Sequence, residues 1–89
     1  MAGSISGIDW VSKIPVGGVY TAIAADDSTN KASINSGKPN AVGVVVQIIR
    51  SGEVVGADAK VSIAAGVIAV EDGTTYKVTT NDVINWIVF

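Results

Sequence analysis

The most apolar run of the chain is Asn40 to Val55, NAVGVVVQIIRSGEVV, and its residue types decide its conformation. Val42, Val44, Val45, Val46, Ile48 and Ile49 are β-branched, which suits a pleated strand and restricts χ1 in a helix. Apolar residues occupy both parities of the run, so the pattern predicts a strand covered on both faces. Ser51-Gly52 supplies turn chemistry, and Glu53 to Val55 is placed to fold back as a hairpin partner.

The remaining pattern is a series of short strands separated by turn residues. Residues 1–7, MAGSISG, are small or polar and show no period, and residues 1–12 are expected to form a flexible N-terminal arm ahead of a domain spanning 13–89. Lys13 to Gly18 reads as a connector, because Pro15 cannot donate a ladder hydrogen bond and Gly17-Gly18 permits unusual φ values. Val19 to Ala24 alternates and predicts a strand. Ala25 to Asn40 has loop chemistry but exceeds ordinary loop length, so either Lys31 to Ile34 forms a short strand within it or the loop is functional. Lys60 to Ala64 and Val67 to Glu71 form a strand pair turning at Ala65-Gly66. Asp72-Gly73 carries a hairpin signal that leads to a strand over Thr75 to Thr79, and Thr79 to Asp82 is a polar break. Val83 to Phe89 is a terminal strand, expected to pack into the sheet or against a neighbouring chain. The fold class is therefore all-β, a small antiparallel β-barrel or β-sandwich of six to seven short strands.

Composition narrows the functional classes. Of the 89 residues, 48% are hydrophobic and 16% charged, against about 25% charged in an average soluble domain. Such a small core is marginal without help, and with neither Cys nor His disulfides and the common zinc sites are excluded, leaving assembly as the stabilising device. The net charge is −2 and the six Lys and Arg are scattered, which gives no footprint for nucleic acid. No apolar run is long enough to span a bilayer as a helix, and the first residues lack a signal-peptide pattern.

Catalytic candidates are equally sparse. Without His or Cys the familiar nucleophile–base pairs are missing, and the adjacent carboxylates Asp26-Asp27 and Glu71-Asp72 read as solvated turn residues. A calcium site from Asp26, Asp27 and Asn30 has the right ligand type but not the EF-hand spacing. Gly17-Gly18 lacks the spacing of a phosphate-binding loop. Asp58-Ala59-Lys60 is similar in part to the modified-lysine hairpin of biotinyl and lipoyl carrier domains, although the order of the triplet is scrambled. That similarity sets up the alternative reading, a carrier with Lys60 modified or a ligand-binding or adhesion module. No catalytic, cofactor or metal residue is assigned. Trp10, Tyr20, Trp86 and Phe89 are four of the five aromatics and three of them lie within ten residues of a terminus, and the residues assigned to partner binding are Ile8, Trp10, Val11, Trp86 and Phe89.

Three segments carry a family resemblance: Ile14-Pro15-Val16-Gly17, Ala41-Val42-Gly43-Val44-Val45 and Ala64-Ala65-Gly66-Val67. Their order, over roughly Lys13 to Glu71, resembles the small capsid decoration (head cement or stabilisation) proteins of tailed bacteriophages. The resemblance implies a non-enzymatic structural virion protein on the outer capsid surface, made in the host cytoplasm. It further implies a homo-oligomer, with trimers favoured, and an arm reaching onto the major capsid protein.

Overall fold

The computed structural model describes residues 15–89. Seven strands and one short helix follow in the order β1 (Val16–Thr21), α1 (Ala24–Thr29), β2 (Lys31–Asn35), β3 (Val44–Arg50), β4 (Glu53–Val55), β5 (Lys60–Ala64), β6 (Val67–Glu71) and β7 (Val83–Val88). They build two antiparallel sheets, β1-β7-β3-β4 and β2-β6-β5. The sheets pack as a sandwich and do not close into a barrel.

Two of the three expected hairpins form, and for the expected reason; the one expected at Asp72-Gly73 does not, since no strand follows it before β7. Arg50 pairs with Glu53 across Ser51-Gly52, and Ala64 pairs with Val67 across Ala65-Gly66. All four turn residues have positive φ, the two-residue geometry whose twist matches the flanking strands. Gly66 is additionally pinned, since a Cβ there would lie 2.6 Å from the Lys38 carbonyl oxygen.

Between the sheets lies one core. Ala32, Ile34, Ile68 and Val70 project from the three-stranded sheet, Ile48, Ile84 and Val88 from the four-stranded one, and Tyr76 and Val78 from the segment joining β6 to β7. Lys31 to Asn35 does form a strand inside the long polar stretch, as its apolar Ala32 and Ile34 allow. α1 is a single extra turn between β1 and β2, closed by Asn30 at φ 60°. The Asp26 carboxylate accepts a hydrogen bond from the Ile23 N–H at its start, which satisfies one orphan donor.

Three expectations are corrected. β3 is covered on one face only: Val44, Val46 and Ile48 face the core, while Val45 is 60% exposed. Gly17-Gly18 does not belong to a connector, since the first strand runs from Val16 to Thr21 and not from Val19 to Ala24. A Cβ at Gly18 would fall 2.7 Å from the Trp86 ring, so this glycine lets a large aromatic lie across the neighbouring strand. Thr75 to Thr79 is not a strand, because side chains take its backbone groups before a ladder can. The Asp58 carboxylate accepts from Thr75 N–H (2.5 Å) and Tyr76 N–H (3.1 Å), Asp72 accepts from Val78 N–H (2.7 Å), and Arg50 donates to the Lys77 carbonyl (2.8 Å).

Candidate functional site

Residues paired across antiparallel strands share a face, so the registers assign each side chain. On the outside of the three-stranded sheet the rows are Lys31–Glu71–Lys60, Ser33–Ala69–Ser62 and Asn35–Val67–Ala64. This face is a mixed polar surface with Glu71 between two lysines. On the outside of the four-stranded sheet the rows are Gly17–Ile87–Val45, Val19–Asn85–Gln47 and Thr21–Val83–Ile49–Val54. Not one of these ten residues is charged. Val19, Val45, Val54 and Ile87 are 67%, 60%, 66% and 45% exposed.

Three rows two residues apart across four strands, one of them short, cover roughly 350 Å² at ordinary strand spacings. A patch of that size is comparable with the largest apolar patches on monomeric proteins, which are frequently functional. Because its members lie far apart in sequence, only the register brings them together.

The carboxylates are spent elsewhere, and this is what leaves the face uncharged. Asp82, 1% exposed, is the hub of the edge that supports β3 and β7. Its Oδ1 accepts from Arg50 Nε (2.7 Å), and its Oδ2 accepts from Arg50 Nη2 (2.9 Å), the Tyr76 hydroxyl (2.8 Å) and Thr79 N–H (3.2 Å). Burial alone pushes this carboxyl up, but the Arg50 guanidinium, the Tyr76 hydroxyl and the Thr79 amide outweigh it and hold it below the ordinary carboxylate range. Burial, and then the hydrogen bond to Asp82, pushes the Tyr76 phenol up. The Arg50 guanidinium also lies 5.5 Å above the Tyr76 ring, a cation–π distance. At the opposite side of the β1–α1 turn the Tyr20 hydroxyl donates to Asp26 Oδ2 at 2.5 Å, and this bond, aided by burial, pushes the Tyr20 phenol up to about 12.

Asp26 and Asp27 are therefore structural. Asp26 holds Tyr20 and the start of α1, while Asp27 accepts from the Thr80 amide and hydroxyl, both at 3.1 Å. Among the described residues no three carboxylates cluster as a metal site. Lys60 opens β5 opposite Glu71, at the end of the hairpin remote from the Ala65-Gly66 turn, so it does not occupy the hairpin tip that a carrier lysine needs.

Of the residues assigned to partner binding, Ile8, Trp10 and Val11 lie outside the described residues. Trp86 is half-buried on the core side of β7, over Gly18. Phe89 packs on Gly43, where a Cβ would clash with its ring, and its backbone pairs with Gly43 in both directions (3.0 and 3.1 Å). The structure thus places Trp86 in β7, with a packing role, and Phe89 just beyond its end. Sequence reasoning missed the uncharged face and the Arg50–Asp82–Tyr76 network. The one available signal for the network was a lone arginine ending the most apolar strand. Comparison with family models, curated proteins and solved structures finds no match for the chain.

Proposed function

We propose that this protein is a non-enzymatic structural protein that decorates and stabilises the outside of a bacteriophage capsid. The observation that carries this reading is the uncharged outer face of the four-stranded sheet, set against a mixed polar outer face with the charged row Lys31–Glu71–Lys60 on the other sheet. A free monomer gains little from leaving Val19, Val45, Val54 and Ile87 exposed on an uncharged face of roughly 350 Å², whereas a protein seated on a larger surface gains by covering them. The area is well below the roughly 800 Å² per partner of a standard stable interface, so a single contact is weak. Weak single contacts suit an oligomer bound to a repeating shell, where linked sites raise the effective concentration. The resemblance of Ala41 to Val45 and its companion segments to decoration proteins supplies the identity of the shell, with the major capsid protein as the partner.

The test is co-sedimentation of the purified protein with cognate capsids stripped of it, alongside Val19→Lys and Val45→Lys. Both positions are solvent-exposed, so the variants are expected to fold normally. Burying an unpaired ammonium under the shell is expected to lower retention about tenfold or more. Wild-type protein that stays in the supernatant, or lysine variants retained as well as wild type, would overturn the reading.

A further inference from the structure

β1 lies at one end of its sheet and pairs with β7 alone. Parity fixes which of its backbone groups stay open. Gly43 and Phe89 exchange both backbone bonds, so Val83, Asn85 and Ile87 face β3, and Ile84, Trp86 and Val88 face β1. Their partners Tyr20, Gly18 and Val16 are therefore bonded within the sheet, while Gly17, Val19 and Thr21 direct N–H and C=O outwards. These three make no backbone bond on that side within residues 15–89.

Natural sheets commonly blunt their edge strands with charge. The other edge strands follow this rule, since β2 carries Lys31, β4 Glu53 and β5 Lys60. β1, VGGVYT, carries no charge. Its open stretch is closed at both ends by residues with no donor to offer. Pro15 has no N–H. The Ile23 N–H is held by the Asp26 carboxylate at 3.0 Å, and the Ile23 carbonyl accepts from the Asp26 and Asp27 amides at 3.0 and 3.3 Å. Pro15 and Ile23 stand four residues on either side of Val19, so the open stretch is symmetric about that residue.

We propose that the β1 edge pairs antiparallel with β1 of a second copy of this chain, about a two-fold axis at Val19. The symmetry carries the choice of occupant, because a two-fold contact needs one patch that complements itself. In this register Val19 faces the partner's Val19 and Gly17 faces the partner's Thr21, in hydrogen-bonded pairs that use every open N–H and C=O of the edge. Pro15 falls opposite the partner's Ile23, so no donor is stranded at either end. A slip by one residue sets Val19 against Gly18 or Tyr20, whose groups β7 already holds. A slip by two sets Thr21 against Pro15 or Gly17 against Ile23, and wastes an open pair.

The pairing doubles the four-stranded sheet and joins two uncharged outer faces of roughly 350 Å² each, which together approach the roughly 800 Å² per partner of a standard interface. It does not rest on the capsid reading, and it is tested without capsids. The paired strip itself is about 17 Å long and one sheet thickness, about 10 Å, deep. Backbone hydrogen bonds rather than area therefore hold it, and the free dimer is weak.

The experiment uses the full-length chain. Sedimentation velocity from about 10 μM to about 1 mM is expected to show a monomer–dimer equilibrium. Val19→Lys, which sets two ammonium groups opposite each other, is expected to stay monomeric. The chain has no native cysteine, and a hydrogen-bonded pair brings its Cα atoms to about 5.5 Å, within disulfide reach. On mild oxidation Val19→Cys is expected to form disulfide dimers at least about tenfold faster than Val45→Cys. Val45 is 60% exposed on the same face but lies two strands from the axis. Val45→Lys is expected to keep the dimer, so a failure of capsid docking is read apart from a failure of pairing. Wild type that stays monomeric throughout, a trimer, dimers of Val19→Lys, a monomeric Val45→Lys, or equal oxidation rates would overturn the proposal.

Discussion

Replacing Asp82 tests whether a single carboxylate holds one side of the sandwich together. In Asp82→Asn the shape is kept, but the charge that receives four hydrogen bonds is removed, and the new amide donors oppose Arg50, Tyr76 and Thr79. Hydrogen bonds to a charged group contribute about 1.5–3 kcal/mol each, and breaking a buried pair costs about 3–5 kcal/mol. Arg50 is 39% exposed and regains water when released, so the expected loss is about 2–3 kcal/mol, towards the low end. Arg50→Met leaves the buried carboxylate with only Tyr76 and Thr79, and is expected to cost about 3 kcal/mol. If the two side chains act as a pair, the double variant loses less than the sum by about 1.5 kcal/mol. Urea unfolding followed by circular dichroism reads this directly, since with m near 1 kcal/mol/M the midpoint of Asp82→Asn falls by about 2–3 M. The pH dependence supplies a second check. The folded-state pKa of Asp82 is depressed, so its stabilisation is complete above the unfolded value of about 3.9 and is lost as pH falls through the folded value. Asp82→Asn should therefore lose much of the acid-sensitivity of wild type. A loss below about 1 kcal/mol, additive single variants, or an unchanged acid transition would refute the hub.

Three further outcomes follow from particular positions. Ile84, fully buried between the sheets, should lose about 3–4 kcal/mol as Ile84→Ala, measured by urea midpoint. Gly52→Ala meets nothing within 4 Å and pays only for positive φ, about 1 kcal/mol, whereas Gly66→Ala also strikes the Lys38 carbonyl and should cost at least about 2 kcal/mol; equal thermal shifts would show that the Lys38 contact does not matter. Tyr20 should ionise near pH 12 by ultraviolet difference absorbance, so the stability it supplies is present below about pH 10 and lost as pH rises towards 12. Asp26→Asn should bring that titration down towards the ordinary phenol value.

The local turns were the most legible part of this chain. Ser51-Gly52 and Ala65-Gly66 each sit between strand-forming runs, and two-residue turns need residues that tolerate positive φ, so local chemistry alone locates the β3–β4 and β5–β6 hairpins. Thr75 to Thr79 shows the opposite case. Its alternation is as clean as that of any strand, yet Asp58, Asp72 and Arg50, which claim its backbone, are remote or lie across a turn, and only the tertiary fold brings them into reach. The start of β1 was hidden for a related reason, since Gly18 makes room for the Trp86 ring and Gly17 for Ile87, both nearly seventy residues away. One-sided burial of β3 could not be read from Val44 to Ile49, because valine or isoleucine stands on both parities and periodicity is silent when both faces are apolar. The same silence concealed the candidate site, whose rows take members from β1, β7, β3 and β4.

That concealment also explains why the apolar composition and the small number of charges do not conflict with a folded single layer pair. Among the described carboxylates, Asp26, Asp27, Asp58, Asp72 and Asp82 each accept a backbone N–H, and every one of them sits in α1 or a loop. Loops are where backbone groups lack a ladder partner, so a short acceptor there satisfies donors that strands satisfy by pairing. Even fully exposed Asp58 is held below the ordinary carboxylate range, first by the Thr75 amide. Among the described residues the aspartates are thus tied to loop closure at the ends of the sheets, and the row Lys31–Glu71–Lys60 carries charge on the outside of the three-stranded sheet. Nothing in the fold requires charge on the outer face of β1-β7-β3-β4, and lysine would be tolerated there at little cost to folding. Valine and isoleucine at Val19, Val45, Val54 and Ile87 suit the strands that carry them, but the folded monomer does not bury them, and contact with another surface is the physical account that the proposed capsid docking supplies.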